Sequence, residues 1–437
     1  MKGVFSTLIN SFRVPELRKK IFYTMLILSI YQLGSLIPVP GLNRTLFSEI
    51  LSRMGQIGQM MNIISGGSLY AASIFAMGIT PYINSSIIIQ LLTVAIPALE
   101  RMQKEGEPGR KKIQRIVRFT TIGLALVQAV AFWFATKEAM TTLLNPVLCA
   151  ILIIVSFTAG TAFIMWLGER INEKGIGNGI SLIIFTGIVT RIPDMATQLF
   201  NYASDVSGYV DNAILGVILG TLLFIVVTLI TAGIIIFVIF VQNAERRISV
   251  QYSKKVVGRK TYGGQNTYLP LKVNQSGVMP VIFAMSILSL PQTLVSMFWA
   301  SYDNAFVNFF RNFGENPVYY VVEVLLIVGF TFFYSMIQFN PIEISNNLQK
   351  NGGFIPGVRP GRPTSDFIAR TAGRINWADG IFLSLVVLAP TLLGTLARIE
   401  NVWFAGTSVL ILTGVANDLV KQIEAQMVTH HYKGFLD

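Results

Sequence analysis

Four polar side chains, Asn84, Ser85, Ser86 and Gln90, stand inside an apolar run where lipid-facing residues would be expected. Amides and hydroxyls at such depth offer hydrogen bonds where hydrocarbon offers none, so they are tolerated only inside protein or along a wet cavity. Around them Ile79, Ile83 and Ile87 recur every four residues and so share one helix face. The stretch from Met61 to Pro97 that holds both sets is longer than one crossing, which takes about 20 residues. Gly66, Gly67 and Pro81 break it into a short front piece and a longer back piece. It reads either as a glycine-kinked structural helix or as a segment that builds a path through the membrane.

Groups that could do covalent or metal chemistry are sparse. Cys149 is the only cysteine, and His430 and His431 sit side by side without spaced partners. The carboxylates at membrane depth are Glu323, Asp379 and Asp418, the last two near the ends of their spans. No Ser/His/Asp set or His–carboxylate cluster falls within a span, and the G-x-x-x-x-G-K-[ST] phosphate loop is absent. The sequence therefore predicts no catalysis and no cofactor, and any energy source must lie on partners.

The elements that position these residues are membrane spans. Of 437 residues, 52% are hydrophobic and only 13% charged, and the apolar residues fall in repeated long runs. Ten spans are expected, near 20–37, 75–97, 116–136, 147–168, 179–199, 213–241, 278–299, 317–339, 377–397 and 403–420. Of the 34 Lys and Arg residues, all but Arg44, Arg53, Lys137, Arg191, Arg311 and Arg398 then fall on one side, which marks that side and both termini as cytoplasmic. The basic N-terminal segment mimics a secretory signal, but it runs into Pro38-Val39-Pro40 and reads as a retained first span.

Ten spans divide into two sets of five. Because five is odd, the second set starts on the opposite side, so related halves must be inverted. The expected organisation is an N-terminal half over 1–200, an outer hinge over 201–212, and a C-terminal half over 213–437. The fold class is all-α and polytopic. In the Gly175–Ser181 run, Asn178 or Ser181 can cap the fifth span. Two long inner loops follow, over 242–277 and 340–376. The first is basic and carries Lys254, Lys255, Arg259 and Lys260. The second holds Arg359 inside Pro356-Gly357-Val358-Arg359-Pro360-Gly361, where prolines stiffen the tip and hold one cation in a defined place. That stiffness favours a protein or ribonucleoprotein partner over simple attraction to a membrane surface.

Five pieces in order carry a family resemblance. They are SGGSLYAASIFAMGITPYINSSIIIQLL, MWLGERINEKGIGNGISLIIF, NAERRISVQY with VGRKTYGGQNTYLPLKVN, NGGFIPGVRPGRPT, and QIEAQMVTHHYKGF. Together they resemble the SecY family, the channel subunits of the bacterial protein translocase. The resemblance implies two five-helix halves around a central pore that also opens sideways to lipid, between spans two/three and seven/eight. By matched position, Ile79, Ile83, Ile180, Ile184, Ile282 and Ile411 would form the pore ring. Residues from about Met61 to Ser73, including Ser65, Gly66, Gly67 and Ser68, would be a plug helix. Ile87 and Gln90 would line the lateral gate. Arg359 would dock the SecA motor ATPase, and Lys254, Lys255, Arg259 and Lys260 would meet ribosomal RNA phosphates.

The implied partners are SecE and SecG, SecA, the ribosome, signal sequences and unfolded preproteins, and the lipid of the bacterial cytoplasmic membrane. Three positions depart from the family pattern. Glu323 lies in a normally apolar span, where it is expected to snorkel outward or pair with a partner subunit. His430 stands in place of an arginine and Tyr268 in place of a histidine. The rival class is a secondary transporter, which shares inverted repeats and broken helices but needs central ion-coupling carboxylates.

Overall fold

A computed structural model describes residues 11–53, 62, 65–140, 145–194, 197, 200, 213–252, 255–257, 260–262, 266–298, 304–311, 313–397 and 406–433. In chain order the helices open with α1 (Pro15–Gly34) and α2 (Arg44–Arg53), followed by α3 (Thr80–Ala95) and α4 (Pro97–Lys104). Next come α5 (Glu107–Ala135), α6 (Pro146–Lys174), α7 (Gly179–Val189) and α8 (Ala213–Asn243). Four strands follow: β1 (Glu245–Tyr252), β2 (Lys255–Val257), β3 (Lys260–Tyr262) and β4 (Asn266–Lys272). The chain continues through α9 (Met279–Phe298), α10 (Ala305–Arg311), α11 (Pro317–Gln338), α12 (Pro341–Lys350), β5 (Gly353–Phe354), α13 (Arg362–Ala397) and α14 (Gly406–Lys433).

Each of the ten expected spans coincides with a helix. Among the described residues, five helices are long and apolar enough to cross a membrane without help from a neighbour. The others are shorter, broken or charged at one end, so length alone would not mark them. Local chemistry sets several boundaries. The Asn178 side-chain oxygen accepts from the N–H groups of Ile180 and Ser181 and starts α7, so of the two candidate caps the asparagine serves. Asn145 and Asn340 do the same for α6 and α12. Between α3 and α4 the axis turns by 100°, because Pro97 cannot continue the hydrogen-bond ladder and holds Ile96 extended. The chain then runs as a short basic helix whose Glu100 is paired with Lys104. The hydrogen bond from the Lys104 ammonium, reinforced by its charge, holds the Glu100 carboxyl below its ordinary range.

The chain forms two compact units. The first takes residues 1–225, 285–319 and 415–437. Its main core joins Phe47 and Leu51 of α2 to Leu69 and Ala72, to Ala125, Ala129 and Phe132 of α5, and to Cys149, Ile153 and Phe157 of α6. Alanines on α5 let that helix approach α6 closely. A smaller cluster, Leu17, Ile176 and Ile423, ties α1 and the α7 entry to α14.

The second unit takes residues 226–284 and 320–414. Its α8 leaves Leu229, Ile236 and Phe240 exposed; such a surface is stable only against hydrocarbon. The two long loops over 242–277 and 340–376 fold together. Strand β1 pairs antiparallel with β4 through Ile248↔Leu269 and Val250↔Thr267, and with β5 through Gln251↔Phe354. Alternation along β1 turns Ile248 and Val250 inward, onto Leu271, Ile355, Ile368 and Ile375. Among the described residues this unit is thus mostly helix, with a small three-stranded sheet, β4-β1-β5, added to it.

Candidate functional site: the broken segment and its seat

The segment from Ser65 onward is not helical. From Ser65 to Ile79 it is a succession of turns, and α3 begins only at Thr80. This corrects the expectation of a plug helix over Ser65–Ser73; Met61, Ile63 and Ile64 lie outside the described residues. Positive φ at Gly66 (65°), Gly67 (89°) and Ala72 (48°) makes an α-helix impossible here.

Side chains replace the missing helical ladder. Ser65 Oγ donates to the Asn62 carbonyl and accepts from Leu69 N–H. Asn62 Oδ1 accepts from Tyr70 N–H at 3.1 Å. Ser68 Oγ reaches both the Ser65 and Phe75 carbonyls. All three polar residues are buried, so each bond removes a group that would otherwise be stranded without water.

The segment is seated by its neighbours. Val39 N–H donates to the Ala72 carbonyl at 2.8 Å and Ile74 N–H to the Ile37 carbonyl at 3.0 Å. Tyr31 of α1 donates to the Ser65 carbonyl at 3.4 Å and stacks on Phe75, whose far face meets Phe163 of α6. The two glycines touch α7 and the chain just after it. A Cβ at Gly66 would stand 2.8 Å from the Gly187 Cα, and one at Gly67 would stand 2.7 Å from Arg191 Nε. Tyr31, Gly187 and Arg191 were not among the expected site residues. The Gly187 position inside an apolar helix was the one signal that could have raised it.

On α3, Ile83 and Ile87 are buried, as is Ile79 at its cap. On α7, Ile180 and Ile184 are buried as well. Ile180 leans on α6, since its Cδ1 would be 2.7 Å from a Cβ at Gly168. In the second unit, Ile282 of α9 and Ile411 of α14 are half-buried. The four polar residues of α3 do not act alike. Ser85 Oγ donates to the Val117 carbonyl of α5 at 3.0 Å and is a helix–helix tie. Ser86 is half-buried. Asn84 Oδ1 and Gln90 Oε1 are buried with no hydrogen-bond partner among the described residues.

Glu323 of α11 does not snorkel outward. It is 3% exposed, and among the described residues no hydrogen bond or ion pair reaches it.

Arg359 is exposed at the tip of its loop, and the loop is tied down behind it. Thr364 Oγ1 donates to the Arg359 carbonyl at 2.8 Å, Val358 N–H to the Ile355 carbonyl, and Ser345 Oγ to the Gly361 carbonyl at 2.7 Å. Val358 packs on the sheet core. Lys255 and Lys260 lie on the β2–β3 hairpin, opposite Tyr262 and Val257. Lys254 and Arg259 lie outside the described residues.

The family model described as SecY matches residues 73–420. The chain belongs to the SecY family. Curated SecY relatives named protein translocase subunit SecY match almost from end to end. That of Thermotoga maritima is 42% identical, covering 98% of this chain and 96% of the relative. That of Halalkalibacterium halodurans is also 42% identical, covering 99% and 100%. Among solved structures, one described as a protein-conducting channel has a TM-score of 0.65 at 18% identity, over 94% of this chain and 93% of that one. Sec61 in the canine ribosome-channel complex from the endoplasmic reticulum has a TM-score of 0.59 at 17% identity, over the same shares. The ten-helix SecY fold is that of a protein-conducting channel, and the chain is a multi-pass membrane protein.

Proposed function

We propose that the chain conducts unfolded preproteins across the bacterial cytoplasmic membrane and releases apolar segments sideways into it. Both termini then lie in the cytoplasm. In this reading residues 1–200 and 213–437 form two inverted halves hinged over 201–212. Ile79, Ile83, Ile180, Ile184, Ile282 and Ile411 form the ring through which the substrate threads. An apolar ring suits that task for two reasons. When narrow it dewets and stops ions, and it offers no fixed hydrogen bonds, so differing side chains pass with similar ease.

The seated turns around Ser65, Gly66, Gly67 and Ser68 close the resting pore. Ile87 and Gln90, whose Oε1 has no hydrogen-bond partner among the described residues, line the lateral gate. There a waiting segment gains about 0.3 to 0.6 kcal/mol per leucine-like residue on entering lipid, and a central charge costs about 2.5 to 3.5 kcal/mol. Opening the gate is enough to sort spans from secreted stretches.

The chain works without a catalytic site of its own. SecE and SecG complete the membrane complex, SecA docks on Arg359, and the ribosome meets the basic loop of Lys254, Lys255, Arg259 and Lys260 through its RNA phosphates. The observation that best supports the reading is the seat of the broken segment. A chain of turns carrying buried serines is held in place by two glycine contacts, two backbone hydrogen bonds to the 37–39 stretch and the Tyr31 hydrogen bond and ring stack, a small set of contacts that suits a part that must leave and return. Proteoliposomes holding the full chain with its partner subunits test it. Preprotein import driven by added motor and ATP is expected; uptake of small solutes on an ion gradient, with no preprotein import, refutes it.

A further inference from the structure

The seated segment is not held equally at its two ends. From Ala72 to Phe75 it is built into the neighbouring spans. The Phe75 ring fills a notch in α1, where a Cβ on Gly34 would stand 2.6 Å from its Cζ, and it stacks between Tyr31 and Phe163. A Cβ on Gly160 of α6 would stand 2.8 Å from the Ile74 carbonyl carbon. Backbone bonds join Ala72 to Val39 and Ile74 to Ile37, and Pro38 pairs with Ser73 as an isolated β-bridge. Ala72, Ser73 and Phe75 are buried.

The other end is held more lightly. Tyr31 Oη donates to the Ser65 carbonyl at 3.4 Å, a long hydrogen bond. Gly66, Gly67 and Tyr70 are half-buried, and so is Arg191, which lies against Gly67. A Cβ on Gly67 would meet Arg191 Nη2, would stand 2.7 Å from Nε and would stand 2.8 Å from Cζ. The guanidinium thus occupies the space that a side chain on Gly67 would have taken. Its stem is fixed, because Arg191 N–H donates to the Ile188 carbonyl at 3.1 Å. Helix α7 ends at Val189, and the last carbonyls of a helix favour a cation. Asp194, three residues on, and Tyr70, in the segment itself, both act on the guanidinium electrostatically.

We propose that Arg191 is the latch of this segment. Its guanidinium covers Gly67 and holds the Ser65–Tyr70 end in its seat, while the Ala72–Phe75 end is the fixed root. Glycine at 67 then meets two demands, a φ of 89° and room for the guanidinium. Arg191 is a positioning residue and touches no substrate. A planar cation on a long stem can leave by turning its own bonds, so the end it covers can lift while the root and α7 stay in place. The latch stands on these contacts alone; its effect on ion flow rests on the reading that the segment closes the pore.

The test follows hydrogen exchange of the 66–70 and 72–77 amides in the full chain, held with its partner subunits in nanodiscs. In Arg191→Gln, exchange over 66–70 is expected to rise about tenfold, the loss of one good contact. The 72–77 amides and the thermal unfolding midpoint should stay as in the unaltered chain. Gly67→Ala displaces the guanidinium, so it should speed the same amides, and by a smaller factor in the Arg191→Gln background than alone. Unchanged exchange over 66–70 in Arg191→Gln overturns the latch. So does an equal acceleration over 72–77, which marks general loosening, and so does a Gly67→Ala effect of full size in the absence of the arginine. Resting conductance of Arg191→Gln in planar bilayers separates the two readings: faster exchange with no added leak supports the latch and removes the segment from pore closure.

Discussion

Replacing Gly66 with alanine should loosen the seated segment by a calculable amount. The added methyl meets two costs. At φ 65° an L-residue carries about 1 to 2 kcal/mol of strain. Its Cβ would also lie 2.8 Å from the Cα of Gly187, a backbone atom of a packed helix that cannot swing aside as a side-chain tip can. Overpacking of this kind costs about 1 to 3 kcal/mol. The sum is about 2 to 5 kcal/mol against the seated state, and every 1.4 kcal/mol changes a ratio about tenfold. The ratio of displaced to seated segment should therefore rise at least about 30-fold.

Under the proposed closure of the pore by this segment, resting ion conductance across planar bilayers reads that ratio. Gly106→Ala is the matched control: its φ is 80°, yet nothing lies within 4 Å of the new methyl, so it carries strain without collision. Gly67→Ala should fall between the two, because the atoms it meets belong to the movable Arg191 guanidinium. Should Gly66→Ala fold and leak no more than Gly106→Ala, the seat does not close the pore.

Arg359→Glu should stop motor-driven preprotein export while shifting thermal unfolding by less than about 0.5 kcal/mol, since the side chain is exposed; normal export in that variant would remove the docking role. Gln90→Leu takes away a buried oxygen that has no partner and should favour the shut seam. Model segments would then need about one more leucine, about 0.6 kcal/mol, to enter lipid. An unchanged insertion threshold in a series of graded segments counts against a gate role for Gln90. The Glu100 carboxyl is held low by Lys104, so the support it gives α4 is present above its unfolded pKa and is lost as pH falls through the lower folded value. Helicity of the 97–104 segment, followed by hydrogen exchange, should drop in that acid window and be insensitive to it in Glu100→Gln.

Hydrophobic runs revealed the spans as repeated apolar stretches, although among the described residues only five helices are long and apolar enough to stand out by themselves, and Asn178 or Ser181 could be named as a cap from its place before an apolar stretch. The sheet was harder to see. Strand β1 has only Ile248 and Val250 facing inward among charged residues, and one of its partners, Gly353–Phe354, lies about a hundred positions away. The turns from Ser65 to Ile79 were hidden for another reason. Their residues are as apolar as a helix, and side-chain bonds from Asn62, Ser65 and Ser68 decide the conformation. Ser85 shows the limit of reading polarity as a path, because its hydroxyl is spent on the Val117 carbonyl. Glu323 shows the reverse: an ionisable residue in a span suggested a side chain that reaches outward or pairs with a partner subunit, and it is buried.

The sheet also has a mechanical meaning. Strand β1 is rooted in the end of α8, β4 leads through Asn274–Val278 into α9, and the Arg359 loop follows directly from β5. A force applied to that arginine cannot be absorbed by slack chain. Under the proposed docking role, it would pass along the hydrogen-bonded strands to the roots of both helices, which places the tip as a lever arm on them.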